Sequence, residues 1–318
     1  MHIAIVGAAG MIGRKLVETL LERPWLGDQP IDRLTIADVR PCSLASSDMD
    51  LREVIGDVSD PIVAAQVLAE RPDVVFHVAA TAMGQADTDF AAGYRINFDT
   101  VRSTLEATRL AGQEYRPRYV YASSIGVYGG AFPDIIDDVF LALPESSYGA
   151  QKLMSETLLA DYSRRGFVDA VALRLPTIAI RPGVPTHGNS GFFSNIIREP
   201  LAGKRAELPA ALDVVHWLAS PQSAIGFLRH AATLPAEALV GARVLVMPGL
   251  AVSVEEEIEA LRLIGGEAAV ALIDRLSPPL YQPCNFPQRF TAERARALGF
   301  ALLETNFAEI ISFHLDEG

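Results

Sequence analysis

Cysteine is scarce: Cys42 and Cys284 are the only two in 318 residues. Two cysteines cannot staple a disulfide scaffold, and these lack metal-ligand spacing. The histidines, His2, His77, His187, His216, His230 and His314, include no helical zinc pair, so no metal site is expected. Long apolar runs are missing too, none approaching the roughly 18 residues that span a bilayer. Positive charge is in deficit, with 27 Lys+Arg against 39 Asp+Glu and a net charge of −12. Such a surface repels phosphate backbones and anionic lipid, so nucleic-acid and membrane partners are not expected. Any anionic ligand needs a local device to hold it. Met1–Val6 has no basic flank and runs directly into a glycine turn, so it does not read as a signal peptide. The expectation is a cytoplasmic protein that handles a small molecule.

What is present is core material: 50% of residues are hydrophobic. Short apolar runs alternate with stretches of helical spacing. His2–Val6, Leu34–Ala37 ending in Asp38, Leu51–Ile55, Val74–Ala80, Tyr119–Ala122 and Ala170–Leu175 read as strands. Met11–Leu21, Ile62–Leu68, Asn97–Leu110 and Ser147–Tyr162 read as helices. Continuous apolar strands suit a sheet covered on both faces, and alternation with helices implies parallel βαβ units. The fold class expected is α/β, a Rossmann-like doubly wound parallel sheet with a smaller C-terminal substrate domain. Prolines and glycines interrupt the pattern after Pro176. The expected division is a Rossmann domain over 1–175, with a returning segment near 212–235, and a substrate domain over 176–318. Within the latter, His216–Ala232, Val252–Ile264 and Thr291–Leu298 read as helices and Val244–Met247 as a strand.

Gly7-Ala8-Ala9-Gly10-Met11-Ile12-Gly13 follows the first strand and opens a helix. A dinucleotide pyrophosphate needs backbone N–H donors at close range, and a helix N-terminus offers them with its positive dipole end. Glycine is needed where a Cβ would block the turn or the phosphate. Asp38, at the end of the second strand, can accept both ribose hydroxyls and would repel a 2′-phosphate, which favours NAD over NADP. Arg40, two residues on, could soften that preference. Asp57 could accept from the adenine amino group, with Val58 covering the ring; the alternative is a helix N-cap for the segment beginning near Asp60.

Tyr148 and Lys152 stand four residues apart, which puts them on one face of a helix. A free tyrosine is a poor base at neutral pH; a neighbouring ammonium stabilises the phenolate. The same lysine can hold nicotinamide ribose hydroxyls. Tyrosine then takes the proton of an alcohol while hydride leaves its carbon. Ser124, at a strand end, can hydrogen-bond the same oxygen, and Ser123 beside it shapes the site.

Gly7/Gly10/Gly13, Asp38, Ser123-Ser124-Ile125-Gly126-Val127-Tyr128-Gly129 and Tyr148…Lys152 together resemble the extended short-chain dehydrogenase/reductase superfamily, which includes nucleotide-sugar epimerases and dehydratases. That resemblance implies an NAD(P) cofactor and a homodimer built on two helices per subunit. Val75-Phe76-His77-Val78-Ala79-Ala80, Arg174-Leu175-Pro176-Thr177-Ile178, Arg181-Pro182-Gly183, Gly191-Phe192-Phe193-Ser194, Ile197-Arg198-Glu199-Pro200-Leu201 and His216-Trp217 resemble the D-erythronate dehydrogenases. Met247-Pro248-Gly249-Leu250 and Ala295-Arg296-Ala297-Leu298-Gly299-Phe300 fit the same branch, which oxidises the 2-hydroxyl of a four-carbon sugar acid with NAD. On this resemblance Asn97 supports the tyrosine–lysine network. Ala79 and Ala80 line the cofactor, and Pro176, Thr177 and Ile178 flank the nicotinamide and substrate.

The chain departs from that branch at Val184-Pro185-Thr186, where a Lys-Pro-Asn-like stretch is expected. It departs again at Val215, Leu218 and Gln222, in place of basic or imidazole residues. Fewer cations favour a neutral, less polar hydroxy or keto substrate, because a buried carboxylate without a partner is costly. Neutral donors such as Asn189 and Ser190 are the alternative means of meeting a carboxylate. Phe192 and Trp217 are expected to line the substrate pocket. A nucleotide-sugar epimerase or dehydratase is the second enzyme reading, with Arg181, Arg198, Lys204 and Arg205 as its cations. Against it, Ser124-Ile125 offers no acid residue beside the serine. A cofactor-sensing regulator is the non-enzyme reading, and the joint presence of Ser124, Tyr148 and Lys152 argues against it.

Overall fold

Seven strands alternate with helices along the first three quarters of the chain: β1 His2–Val6, β2 Arg33–Asp38, β3 Asp50–Ile55, β4 Val74–His77, β5 Arg118–Ser124, β6 Asp169–Leu175 and β7 Val244–Val246. The computed structural model describes residues 1–44, 49–112, 114–183, 190–241 and 243–316. The strands form one sheet in the order β7-β6-β5-β4-β1-β2-β3. β1 pairs in parallel with β2 and β4, and the pairs β2–β3 and β4–β5 are also parallel. Val6 lies opposite both Ala37 and His77, and His77 lies opposite Tyr121. The residues after β1, β2, β4 and β5 therefore emerge along one edge. The strand order reverses at β1, the point where open α/β sheets bind ligands.

The helices form where sequence gives them a face and a start. α1, Met11–Glu22, buries Gly13, Leu16, Val17 and Leu20, one stripe at helical spacing. α2, Pro61–Leu68, starts on a proline that needs no N–H donor there, and the Asp60 side chain accepts from Ile62 N at 2.8 Å. α3 runs Thr100–Leu110 and α4 runs Ser147–Arg164, the latter capped by Ser146 accepting from Gly149 N at 3.0 Å. Ala4, Val6, Val75, Tyr119, Tyr121, Val101, Leu105 and Leu159 pack together between sheet and helices. Each fully buried aliphatic side chain of this kind contributes about 1.5–3 kcal/mol of transfer free energy.

The chain divides into two compact units. Unit 1 comprises Met1–Val127, Pro144–Arg174 and Ile225–Leu245; unit 2 comprises Tyr128–Leu143, Leu175–Ala224 and Val246–Gly318. The returning segment thus begins at Ile225 rather than near 212, and it ends in the edge strand β7. Residues 128–143 go with unit 2, where Ile136 N donates to Arg289 O and Thr291 N donates to Ile136 O.

Unit 2 holds α5 Phe192–Leu201, α7 Val254–Val270 and α8 Phe307–Leu315, with α7 packed on the other two. α6, Pro221–Thr233, begins in unit 2 and ends in unit 1. Unit 2 holds a three-stranded sheet of Leu250–Ser253, Val215–Ala219 and Thr177–Ile178 in that order, and a two-stranded one of Ala206–Leu208 with Ile273–Arg275. Two helices expected from sequence start later than their patterns. His216–Ala232 opens as the strand Val215–Ala219, because Pro221 pushes the preceding residue out of helical geometry and itself starts α6. Val252–Ile264 likewise opens as a strand end that pairs with Val215–Leu218 before Ser253 caps α7. In unit 1 the apolar run Val74–Ala80 is a strand only to His77. The helix expected to begin at Asn97 is preceded by a π-helical turn, Arg95–Asp99.

Candidate active site

The glycine turn is built by contacts that exclude side chains. Gly7 has φ +91°, and a Cβ there would stand 2.4 Å from Ala79 N. A Cβ on Gly13 would stand 2.0 Å from Gly7 O. Gly10 is the N-cap of α1 and supplies no side-chain cap, so no side chain of its own takes the first N–H groups of the helix. Asp38 is fixed beside this turn: its carboxylate accepts from Ala9 N at 3.0 Å and from Arg40 N at 3.2 Å. The Arg40 side chain is exposed. Asp57 accepts from Ser59 N at 2.9 Å and lies 3.4 Å from Arg95 Nε, while Val58 is buried. Capping of α2 falls to Asp60, so that structural role is not needed from Asp57. The structure thus has the parts a dinucleotide requires: a turn too tight for Cβ atoms, an uncapped helix start and a strand-end carboxylate.

The second group of residues gathers on α4. Tyr148 is half-buried, and Lys152 is 1% exposed. Lys152 Nζ donates to Ala122 O at 2.7 Å and sits 4.7 Å from the Tyr121 ring centroid and 5.7 Å from that of Tyr148. Burial pushes the Lys152 ammonium down to about 7, and the Glu156 carboxylate one turn on pulls it back up. Ser124 Oγ accepts from Gly126 N at 3.0 Å. A Cβ on Gly126 would stand 3.0 Å from Met83 Cε, 3.2 Å from Tyr148 Cε1 and 3.3 Å from Ser124 Oγ, so the serine hydroxyl and the tyrosine ring both lie close to Gly126. Gly149 packs still closer, its virtual Cβ 2.2 Å from Gly126 O. The loop after β5 and the start of α4 meet there backbone to backbone.

Asn97 is fully buried on the π-helical turn; its Oδ1 accepts from Thr81 N at 2.9 Å and its Nδ2 donates to Gln151 Oε1 at 2.7 Å. It therefore joins the segment after β4 to α4. Ser123 Oγ donates to Glu156 Oε1 at 2.5 Å, and Glu156 also accepts from Arg174 at 2.7 Å. Gly126, Gly149, Gln151, Glu156 and Arg174 were not read as site residues from sequence. The glycines adjacent to Ser-Ile and Tyr carry a signal and Arg174 stands in a motif of the resemblance without a role; Gln151 and Glu156 carry none until the strands are assembled. His77 is buried and accepts from or donates to Tyr119 and Thr100 at 2.6 and 3.1 Å; burial pushes its imidazole down to about 3, so it is neutral.

In unit 2, Thr177 Oγ1 is 2.8 Å from His216 Nε2, and Ser190 Oγ accepts from Arg181 Nη2 at 3.2 Å. Pro176 and Ile178 are buried. Phe192 is 4% exposed and lies within an aromatic cluster with Phe193, Tyr281 and Phe286. Trp217 is 5% exposed and donates from Nε1 to Met247 O at 3.1 Å. Both aromatics pack in the interior of unit 2. Leu218 belongs to the same unit's apolar core at 0% exposure, so its lack of charge reports on packing and not on a substrate. Asn189 and Val184 lie outside the described residues. Arg198 is engaged with Glu199, Asn195 and Arg181 O, and Arg205 with Asp274. Among the described residues no group of three His, Cys, Asp or Glu side chains is placed to hold a metal ion, and no helix is long and apolar enough to cross a membrane.

Residues 3–217 match the model of the NAD dependent epimerase/dehydratase family. The chain is 42% identical to a D-erythronate dehydrogenase of Cupriavidus necator, covering 100% of this chain and 98% of that one. It is 34% identical to a D-erythronate dehydrogenase of Haemophilus influenzae, covering 98% of each. Among solved structures, a crystal structure described as a nucleoside-diphosphate-sugar epimerase from Agrobacterium tumefaciens matches with a TM-score of 0.93 and 47% identity, over 100% of this chain and 94% of that one.

Proposed function

The chain belongs to the NAD dependent epimerase/dehydratase family, and from that premise we propose that it is a dehydrogenase that oxidises a secondary hydroxyl of a small sugar acid or hydroxy acid of the D-erythronate kind. The observation that carries the proposal is the single buried face of α4: Tyr148 and Lys152 lie on it, with Lys152 Nζ on the carbonyl of Ala122, two residues before Ser124. Gly7, Gly10, Met11, Ile12 and Gly13 hold the pyrophosphate of NAD in this reading, Asp38 the adenosine ribose, and Asp57 and Val58 the adenine. Ala79, Ala80, Pro176 and Ile178 complete the cofactor contacts. Bound NAD supplies the acceptor for the hydride that leaves the substrate carbon. Ser124 donates to the substrate oxygen, and Tyr148 Oη takes its proton as the carbonyl forms. Lys152 holds positive charge beside the phenol, and Asn97 steadies the helix that carries both.

Substrate recognition by Ser123, Ser124, Thr177, Ser190, Phe192 and Trp217 is part of the same proposal. Ser123, Ser124, Thr177 and Ser190 offer hydroxyls, suited to a polyhydroxy acid. A cytoplasmic homodimer is proposed on the family resemblance and is checked by light scattering of the purified chain.

An epimerase or dehydratase is the competing reading, supported by the name of the Agrobacterium tumefaciens relative. The residue after Ser124 speaks against a dehydratase: it is Ile125, 3% exposed, and no acid. The two readings differ in their electron balance, because epimerases and dehydratases return the hydride to the sugar. The purified protein is incubated with NAD and either D-erythronate, neutral analogues of similar size, or nucleotide hexoses. Net NADH with D-erythronate is the expected result. Conversion of a nucleotide hexose without net NADH overturns it, and a tenfold preference for a neutral analogue moves the substrate class away from acids.

A further inference from the structure

Three residues of α4 stand one turn apart on the same face, Tyr148, Lys152 and Glu156, and the third has no assigned role. Glu156 is 3% exposed, so its charge needs partners. It has two: the Ser123 hydroxyl at 2.5 Å, from β5, and the Arg174 guanidinium, from β6, with Nε at 3.0 Å and Nη2 at 2.7 Å. One carboxylate thus ties a helix to two strands. Ser123 immediately precedes Ser124, and Ala122, just before it, receives the Lys152 hydrogen bond. The strand end that presents Ser124 is held by α4 at two successive residues.

We propose that Glu156 is a positioning residue for the Ser124–Tyr148–Lys152 site: its shared carboxylate locks the serine-bearing end of β5 to the helix carrying tyrosine and lysine, and its negative charge balances the buried ammonium. The proposal rests on the reading that Tyr148 and Lys152 bind NAD and move a proton. The groups facing Lys152 are few. Tyr148 and Glu156 approach from α4, and Tyr121 with the Ala122 carbonyl from β5. His77 on β4 is electrostatically coupled to Lys152 and is neutral; Arg174 on β6 bonds to Glu156. Glu156 is therefore the carboxylate whose charge opposes the loss of the Lys152 proton that burial favours.

Lys152 holds the nicotinamide ribose in this reading, so its protonation is read directly from NADH affinity against pH by fluorescence, with no turnover required. Glu156→Gln is expected to move the alkaline fall in NADH affinity down by about one pH unit, a tenfold change at fixed pH. The alkaline limb of kcat moves with it. Glu156→Gln leaves Arg174 without its anion, so Glu156→Gln/Arg174→Met provides a variant with no orphaned charge; it keeps a smaller shift of the same sign. Ser123→Ala, which leaves the Glu156–Arg174 pair intact, lowers kcat severalfold and does not move the midpoint. Thermal melting confirms that each variant is folded. A folded Glu156→Gln or double variant with an unmoved midpoint overturns the proposal and leaves Glu156 as a packing element only. If the unmodified protein binds NADH but oxidises no hydroxy acid, the functional reading fails while the NADH titration still decides the role of Glu156.

Discussion

Two helices that each bury seven residues have contrasting interiors. α4 in unit 1 turns Gln151, Lys152, Ser155, Glu156 and Ser163 inward, with Leu159 the only large apolar residue on that face. α5 in unit 2 turns Phe192, Phe193, Ile196 and Ile197 inward, with Ser194, Glu199 and Pro200 buried beside them. The apolar face needs only contact to be stable. The polar face needs partners, and most of its groups have them: Lys152 on Ala122 O, Gln151 Oε1 on Asn97, Ser155 on Asn97 O at 3.2 Å, and Ser163 accepting from Ala170 N at 3.1 Å, while Gln151 Nε2 has none among the described residues. An unsatisfied buried polar group costs about 1–3 kcal/mol, so a polar interior persists where each group is matched. The lesson is that α4 is specified by hydrogen bonds and α5 by volume. The two should fail differently when altered.

The largest effect expected is on chemistry alone. Tyr148→Phe should lower kcat by about 10²–10⁴-fold, the usual range for removing a general base. NAD affinity and melting temperature should stay close to those of the unmodified chain. Near-normal turnover would place the base elsewhere. On the apolar side, Phe193→Ala should remove about 3–5 kcal/mol of stability, since Phe193 is fully buried in the aromatic cluster. Urea denaturation measures this, and a loss under 1 kcal/mol (about the cost of a surface change) would mean that unit 2 repacks freely.

Glu257 on α7 breaks the pattern of the second unit. It is fully buried, neither carboxylate oxygen has a hydrogen-bond partner among the described residues, and burial holds its carboxyl well above the ordinary carboxylate range. The folded chain therefore keeps a proton that the unfolded chain releases. Its stabilising contribution is complete below the unfolded value near 4.5 and is lost as pH rises towards the folded one, at about 1.4 kcal/mol per pH unit. Glu257→Gln should flatten that decline in stability measured from about pH 5 to pH 8. An unchanged slope would show that Glu257 is not the group responsible.

Asp38→Ala should narrow the preference for NAD over NADP by roughly tenfold, the worth of a hydrogen bond to a charged group. Equal affinities in the unmodified protein, measured by titration, would remove Asp38 from that role. The smallest effect belongs to a helix end. Ser253 accepts from Glu256 N at 3.1 Å while Glu256 accepts from Ser253 N at 2.7 Å, and Ser253→Ala should cost about 1 kcal/mol of melting stability.

Most of unit 1 was legible because its signals are local. A strand that is apolar at every position, a glycine turn and a helix start lie within a few residues of one another, and Tyr148 and Lys152 need only helical spacing to share a face. Unit 2 was harder to read. His216-Trp217-Leu218 is apolar enough for either element, and only pairing with Thr177–Ile178 and Leu250–Ser253 makes it a strand. Phe192 and Trp217 are expected at a substrate pocket, and along the chain nothing separates an aromatic that meets a ligand from one that packs a core; their low exposure within unit 2 comes from the fold.

By itself, the sequence determined the order of most elements, the glycine turn and the helical face of Tyr148 and Lys152, since these depend on spacing within one segment. Only the tertiary structure decided which groups surround that face. Asn97 and Gln151 are 54 positions apart, and Ser123 and Glu156 are 33 apart. Such pairs come from different strands and helices, and hydrogen bonds a few ångströms long exist between them only once the sheet has set the register of each element.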